Sequence, residues 1–269
     1  MTETQDIKRI VVCSAVGGVG RTTITVNLAA LLAKENITVS VIDADLQFGD
    51  IALAFDLQPS LTIKDAAERN DKENIYFYMM DHASSVKVLP APDRPEFAEL
   101  ISPDFLSAII DRLEDNTEIM LVETQAGLTD MNIQLMEQAD LILVVSTPAM
   151  AALKNSKLMI ETLDLLGIKD KAHLVINRFT TQTVIRPKNI PELTNMEQII
   201  FLPLVDKQME QSLDIGIPFV TSHPKASFTK ELEKAIGDLL HLKENKKIKS
   251  KSKLGFLHHI RLKGTEQGG

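Results

Sequence analysis

A strand-like run at residues 9–14 leads without interruption into Ala15-Val16-Gly17-Gly18-Val19-Gly20-Arg21-Thr22-Thr23, and from there into a helical pattern. Three glycines in four positions at such a junction leave few folds open. Glycine is needed where the backbone turns to positive φ, or where a Cβ would block a close approach. A loop of this shape lets successive backbone N–H groups converge on an anion. The helix N-terminus behind it adds the positive end of its dipole. Strand, glycine loop and helix in this order mark a phosphate site rather than an ordinary tight turn.

The rest of the chain supplies the scaffold that such a loop requires. Apolar and β-branched runs at 9–14, 37–43, 119–123, 141–146, 173–177 and 199–203 are expected to be strands. The near-continuous run Leu141-Ile-Leu-Val-Val145 suits a strand covered on both faces, as in a parallel sheet. Helical patterns occupy 22–35, 102–113, 150–166 and 228–241. Ser102-Pro103-Asp104 is a strong helix start, with a hydroxyl cap and proline at the first helical position. The alternation predicts an α/β fold: a doubly wound, mainly parallel sheet flanked by helices, with its ligand beyond the strand C-termini.

No linker divides residues 5–240, so residues 1–241 are expected to form one domain and 242–269 a separate tail. Charge divides the chain at the same place. The tail holds eight lysines and arginines against two glutamates, a net +6, which leaves −14 on the body. An acidic body disfavours DNA as a partner. No apolar stretch approaches 18 residues and Met1–Lys8 shows no signal-peptide pattern, so the protein is expected to be cytoplasmic. The single cysteine, Cys13, sits in an apolar run and reads as a small buried hydrophobe.

Against the P-loop pattern G-x-x-x-x-G-K-S/T, Thr22 falls where a hydroxyl binds Mg²⁺, Ala15 replaces the first glycine and Arg21 the lysine. A dinucleotide fingerprint, Gly18-x-Gly20-x-x-Thr23 followed by Asp43, is the rival reading. It lacks its third glycine, and the paired threonines do not belong to it. Asp43 and Asp45, two apart in a segment read as extended, are expected to point the same way and suit one cation or its waters. The histidines show no metal-ligand spacing.

Val16-Gly-Gly-Val-Gly-Arg-Thr-Thr23 resembles the deviant Walker A of the MinD/ParA/NifH superfamily, K-G-G-x-G-K-S/T. By that match Val16 stands at the signature lysine that reaches across a dimer, and Arg21 at the ordinary P-loop lysine. The resemblance implies ATP and Mg²⁺ as ligands and a homodimer. It implies nucleotide binding by Gly17, Gly18, Val19, Gly20, Arg21, Thr22 and Thr23, and Asn177 with Arg178 against adenine. Asn suits a base edge because its amide offers both a donor and an acceptor. For the metal it implies Thr22, Asp43 and Glu123, the last at the Walker B position where the family usually has aspartate. For catalysis it implies Asp45, orienting the attacking water, together with Arg21.

Asp45-Leu-Gln-Phe-Gly-Asp50 and Val88-Leu-Pro-Ala-Pro-Asp-Arg-Pro-Glu96 resemble the CpaE/TadZ branch, the localisation ATPases of Tad-type pilus systems. With the glycine loop beginning within 20 residues of Met1, the receiver-like domain that many CpaE proteins carry is expected to be absent.

These features lead to an expected ATP-binding switch with weakened hydrolysis, serving a pilus or secretion machine. The alternatives are a MinD-like membrane-associated regulator of cell division or flagellar placement, and a nucleotide-free scaffold. In the tail, Leu254, Phe256, Leu257 and Ile260 would share one side of a helix among the lysines. The segment resembles the lysine-rich tail with which MinD proteins grip lipid. An anionic membrane surface, on the inner face of the cell membrane, is the partner this implies.

Overall fold

The computed structural model describes residues 7–181, 184–205 and 207–240. The tail and its expected membrane contact lie outside the described residues. Along the chain run β1 (Arg9–Cys13), α1 (Arg21–Lys34), β2 (Val39–Ala44), α2 (Ile51–Ala54), α3 (Ile63–Glu68), β3 (Met80–Asp81), β4 (Val86–Leu89) and α4 (Pro103–Leu113). There follow β5 (Ile119–Thr124), α5 (Asp130–Glu137), β6 (Leu141–Ser146), α6 (Met150–Leu165) and β7 (Ala172–Ile176). The order closes with α7 (Ile190–Thr194), β8 (Ile199–Phe201), α8 (Lys207–Asp214), α9 (Phe219–Ser222) and α10 (Ser227–Leu239).

The eight strands form one sheet in the order β3-β4-β2-β5-β1-β6-β7-β8. Every pairing is parallel except the short β3–β4 ladder at one edge. Strands β1, β2, β5 and β6 are buried along their whole length, which is why they read as unbroken apolar runs. Alternate residues feed two cores. Val11 and Cys13 face one side with Leu106, Ile109 and Leu135, while Ile10 and Val12 face the other with Ile24, Phe219 and Phe228. Helix α1 is buried from Ile24 to Leu32, held between the sheet and helices α9 and α10.

All six expected strands are present, and α4 begins as its sequence dictates: Ser102 accepts a hydrogen bond from Phe105 N, with Pro103 following. Between residues 45 and 101 the sequence reading assigns no element, yet α2, α3, β3 and β4 lie there. These elements have only two to six residues each, too short for periodicity to register. The sequence likewise signals no element at α5, which is capped by Thr129, whose side chain accepts from Asn132 N.

Candidate functional site

The glycine loop leaves the C-terminal end of β1, flanked in the sheet by β5 and β6. Ser14 Oγ donates to Val16 O at 2.8 Å and closes the first turn. Gly18 and Gly20 take φ of 74° and 95°, and Gly20 forms a left-handed N-cap to α1. No side chain caps that helix and its first turn holds no acidic residue. Among the described residues its leading amides thus have no side-chain cap, an arrangement that suits an anion. Gly17 and Gly18 are exposed.

Asn177, one residue beyond β7, is buried and reaches into this loop: its Nδ2 donates to Val19 O at 2.9 Å. Its Oδ1 accepts from Arg178 N at 2.9 Å, helping to hold Arg178 at a φ of 57°. One N–H and one lone pair of the amide remain for a ligand. Asn177 and Arg178 line a cleft of about 330 Å³ together with Thr23, Pro203, Met209 and Leu213. The sequence reading missed the α8 residues of this wall. Their apolar positions look like ordinary core until the helix is placed.

Glu123, near the end of β5, faces the loop from the neighbouring strand. Thr22 Oγ1 donates to its Oε1 at 2.7 Å. Burial pushes the Glu123 carboxyl up to about 7, against the opposing hydrogen bond from Thr22. Its Oε2 is buried with no hydrogen-bond partner among the described residues. An orphaned carboxylate oxygen beside a threonine hydroxyl, at the mouth of a phosphate loop, fits a hard divalent cation.

The two aspartates part company. Asp43 is buried at the end of β2, where its oxygens accept from Ile51 N at 3.0 Å and Asp45 N at 3.3 Å. Burial, reinforced by Glu123, holds its carboxyl well above the usual range. Asp45 lies just past the strand, and its Oδ2 meets Arg21 Nη2 at 3.0 Å. The two carboxylates thus have different hydrogen-bond partners within the chain. Arg21 also donates, through Nη1, to the carbonyl of Thr124. Asn132, which sequence reasoning did not single out, is fully buried. It donates to Gln125 O at 3.0 Å and Gly127 O at 2.8 Å, clamping the loop that follows β5.

Parallel sheet, glycine loop and uncapped helix together define the fold class of the P-loop nucleoside triphosphatases. The chain belongs more narrowly to the ParA family, described as NUBPL iron-transfer P-loop NTPase, whose family model matches residues 6–240. An uncharacterised ATP-binding protein of Methanocaldococcus jannaschii is 26% identical over 90% of this chain and 91% of its own length. The septum site-determining protein MinD of Thermotoga maritima is 31% identical over 65% of each chain. Among solved structures, MinD of Pyrococcus horikoshii complexed with Mg-ADP superposes with a TM-score of 0.78 at 21% identity. That match covers 88% of this chain and 97% of that one.

Proposed function

We propose that this chain binds Mg-ATP and acts as a nucleotide-dependent switch whose hydrolysis is slow. The observation that carries the reading is the uncapped α1 with its open glycine loop, set against the Thr22–Glu123 pair. In this reading Gly17–Thr23 cradle the phosphates through backbone amides, and the cleft beside Asn177 and Arg178 takes the base. Thr22 and Glu123 hold Mg²⁺, with Asp43 behind them. When bound there, the metal would offset negative charge on the phosphates. Asp45 orients the attacking water, and Arg21 supplies the cation that the usual lysine would supply. A guanidinium is planar and broader than an ammonium, so the charge is kept but its aim is not. A missing or misplaced transition-state cation costs on the order of 3 kcal/mol, about a hundredfold in rate.

The protein works as a homodimer in the cytoplasm, peripheral to the membrane through its basic tail, as a localisation or assembly factor for a Tad-type pilus or secretion machine. The motif 45–50 supports that branch. A MinD-like role in division or flagellar placement is the second reading, favoured by the Thermotoga maritima relative. The net negative body argues against DNA. Calorimetric titration with Mg-ATP and Mg-ADP is the test. Binding with turnover far below that of lysine-bearing relatives is expected, and no binding of either at millimolar concentration would leave the scaffold reading instead. Arg21→Lys should raise turnover about tenfold or more. An unchanged rate would shift the defect to Val16 or Glu123.

A further inference from the structure

Arg21 opens α1, and its guanidinium reaches across to two other segments of the site. Nη1 donates to the main-chain carbonyl of Thr124 at the end of β5, and Nη2 pairs with Asp45 Oδ2 at 3.0 Å. Both side chains are only 12% exposed. The other oxygen of Asp45 accepts from Phe48 N at 3.3 Å, so the carboxylate is held in one orientation. Asp43 and Glu123 stand in the same neighbourhood, each buried. The two residues assigned to the chemistry are thus bound to each other.

We propose that the Arg21 guanidinium exchanges between two alternative partners, the carboxylate of Asp45 and an oxygen of a bound polyphosphate. The proposal rests on the nucleotide reading above. An arginine can do this and a lysine cannot. The guanidinium carries separate donors, so Nη1 stays anchored on Thr124 O while Nη2 exchanges a carboxylate for a phosphate. An ammonium has one nitrogen and would have to leave its anchor to change partner. Asp45 is released to act on water only when phosphate has taken its place. The largely desolvated ion pair competes with the ligand and lowers its affinity.

The test is a double-substitution cycle read by binding. Mg-ATP and inorganic triphosphate are titrated calorimetrically into the full chain, D45N, R21Q and the double variant, with far-UV circular dichroism confirming the fold of each. D45N is expected to bind about tenfold more tightly than the unaltered chain, and to have no such effect in the R21Q background. An equal gain with and without Arg21 would mean simple removal of a negative charge and would overturn the latch. So would unchanged or weaker binding by D45N, while binding by the unaltered chain leaves the nucleotide reading standing. Binding by D45N alone would support the latch in its strongest form. Binding by neither would end both proposals. Should D45N fail to fold, a structure of the unaltered chain with Mg-ATP decides. Arg21 on a phosphate oxygen and apart from Asp45 supports the exchange, and an intact pair refutes it.

Discussion

Gly20 and Asn177 share one place in the structure: a Cβ on the glycine would overlap the Nδ2 of the asparagine. That amide is the group that braces Val19 O, so the shape of the phosphate loop depends on a strand far along the chain. Gly20 also sits at φ 95°, where a side chain is strained in any surroundings. Gly17 is unlike it, with nothing within 4 Å of a built Cβ. Gly20→Ala should cost about 1–3 kcal/mol of folding stability and weaken nucleotide binding at least tenfold. Gly17→Ala should leave stability within about 0.5 kcal/mol while still weakening binding, because its Cβ enters only the open space above the loop. Denaturant unfolding and calorimetry on the same pair separate the two effects. Equal loss of stability in both would contradict this geometry.

Glu123 makes the stability of the ligand-free chain depend on pH. Burial raises its carboxyl from 4.5 to about 7, so the folded chain keeps a proton that the unfolded chain has already lost between those values. Stability from this group is complete below pH 4.5, declines as pH rises, and is lost by about 3 kcal/mol once pH passes 7. Asp43, raised by burial, acts in the same direction. Thermal unfolding should therefore show a midpoint that falls between pH 5 and pH 8. Glu123→Gln, which cannot ionise, should flatten that slope. A variant whose slope matches the parent would show that Glu123 is not the titrating group.

Asn132 ties the loop after β5 to the start of α5 through the carbonyls of Gln125 and Gly127. Removing the amide takes this donor from two partly buried carbonyls. Asn132→Ala should lower stability by about 1–3 kcal/mol. Amide exchange at residues 125–129 should quicken more than exchange in β5. If the whole sheet exchanges faster to the same degree, the clamp is not local.

The membrane proposal concerns the basic tail. Each cation near an anionic leaflet contributes about 1 kcal/mol before screening, and a homodimer would present two tails. Cosedimentation with anionic vesicles should pellet the full chain and leave a chain ending at His241 in the supernatant. Equal pelleting of the two, or tighter retention of the tail by DNA than by lipid, would defeat the proposal.

The glycine loop, the six principal strands and the capped start of α4 were legible in the sequence because local chemistry decides them. Glycines at a strand–helix junction, a Ser-Pro helix start and unbroken apolar runs act over a few residues and tolerate little else. The fold class followed from their alternation, and the ParA family match agrees with it. The electrostatic wiring of the site was not legible. Arg21 looked like a substitute for a phosphate-binding lysine, yet its contacts are Asp45 and a carbonyl 103 residues away. Asn177 looked like a base reader, yet its amide also braces a loop 158 residues earlier. Asp43 and Asp45 read as a matched pair, yet the fold gives one the amides of Ile51 and Asp45 and the other Arg21 and the amide of Phe48. Hydrogen bonds and ion pairs of this kind are chosen by which side chains the folded sheet brings within 3 Å or so of one another. That proximity belongs to the tertiary structure, because no spacing along the chain encodes it.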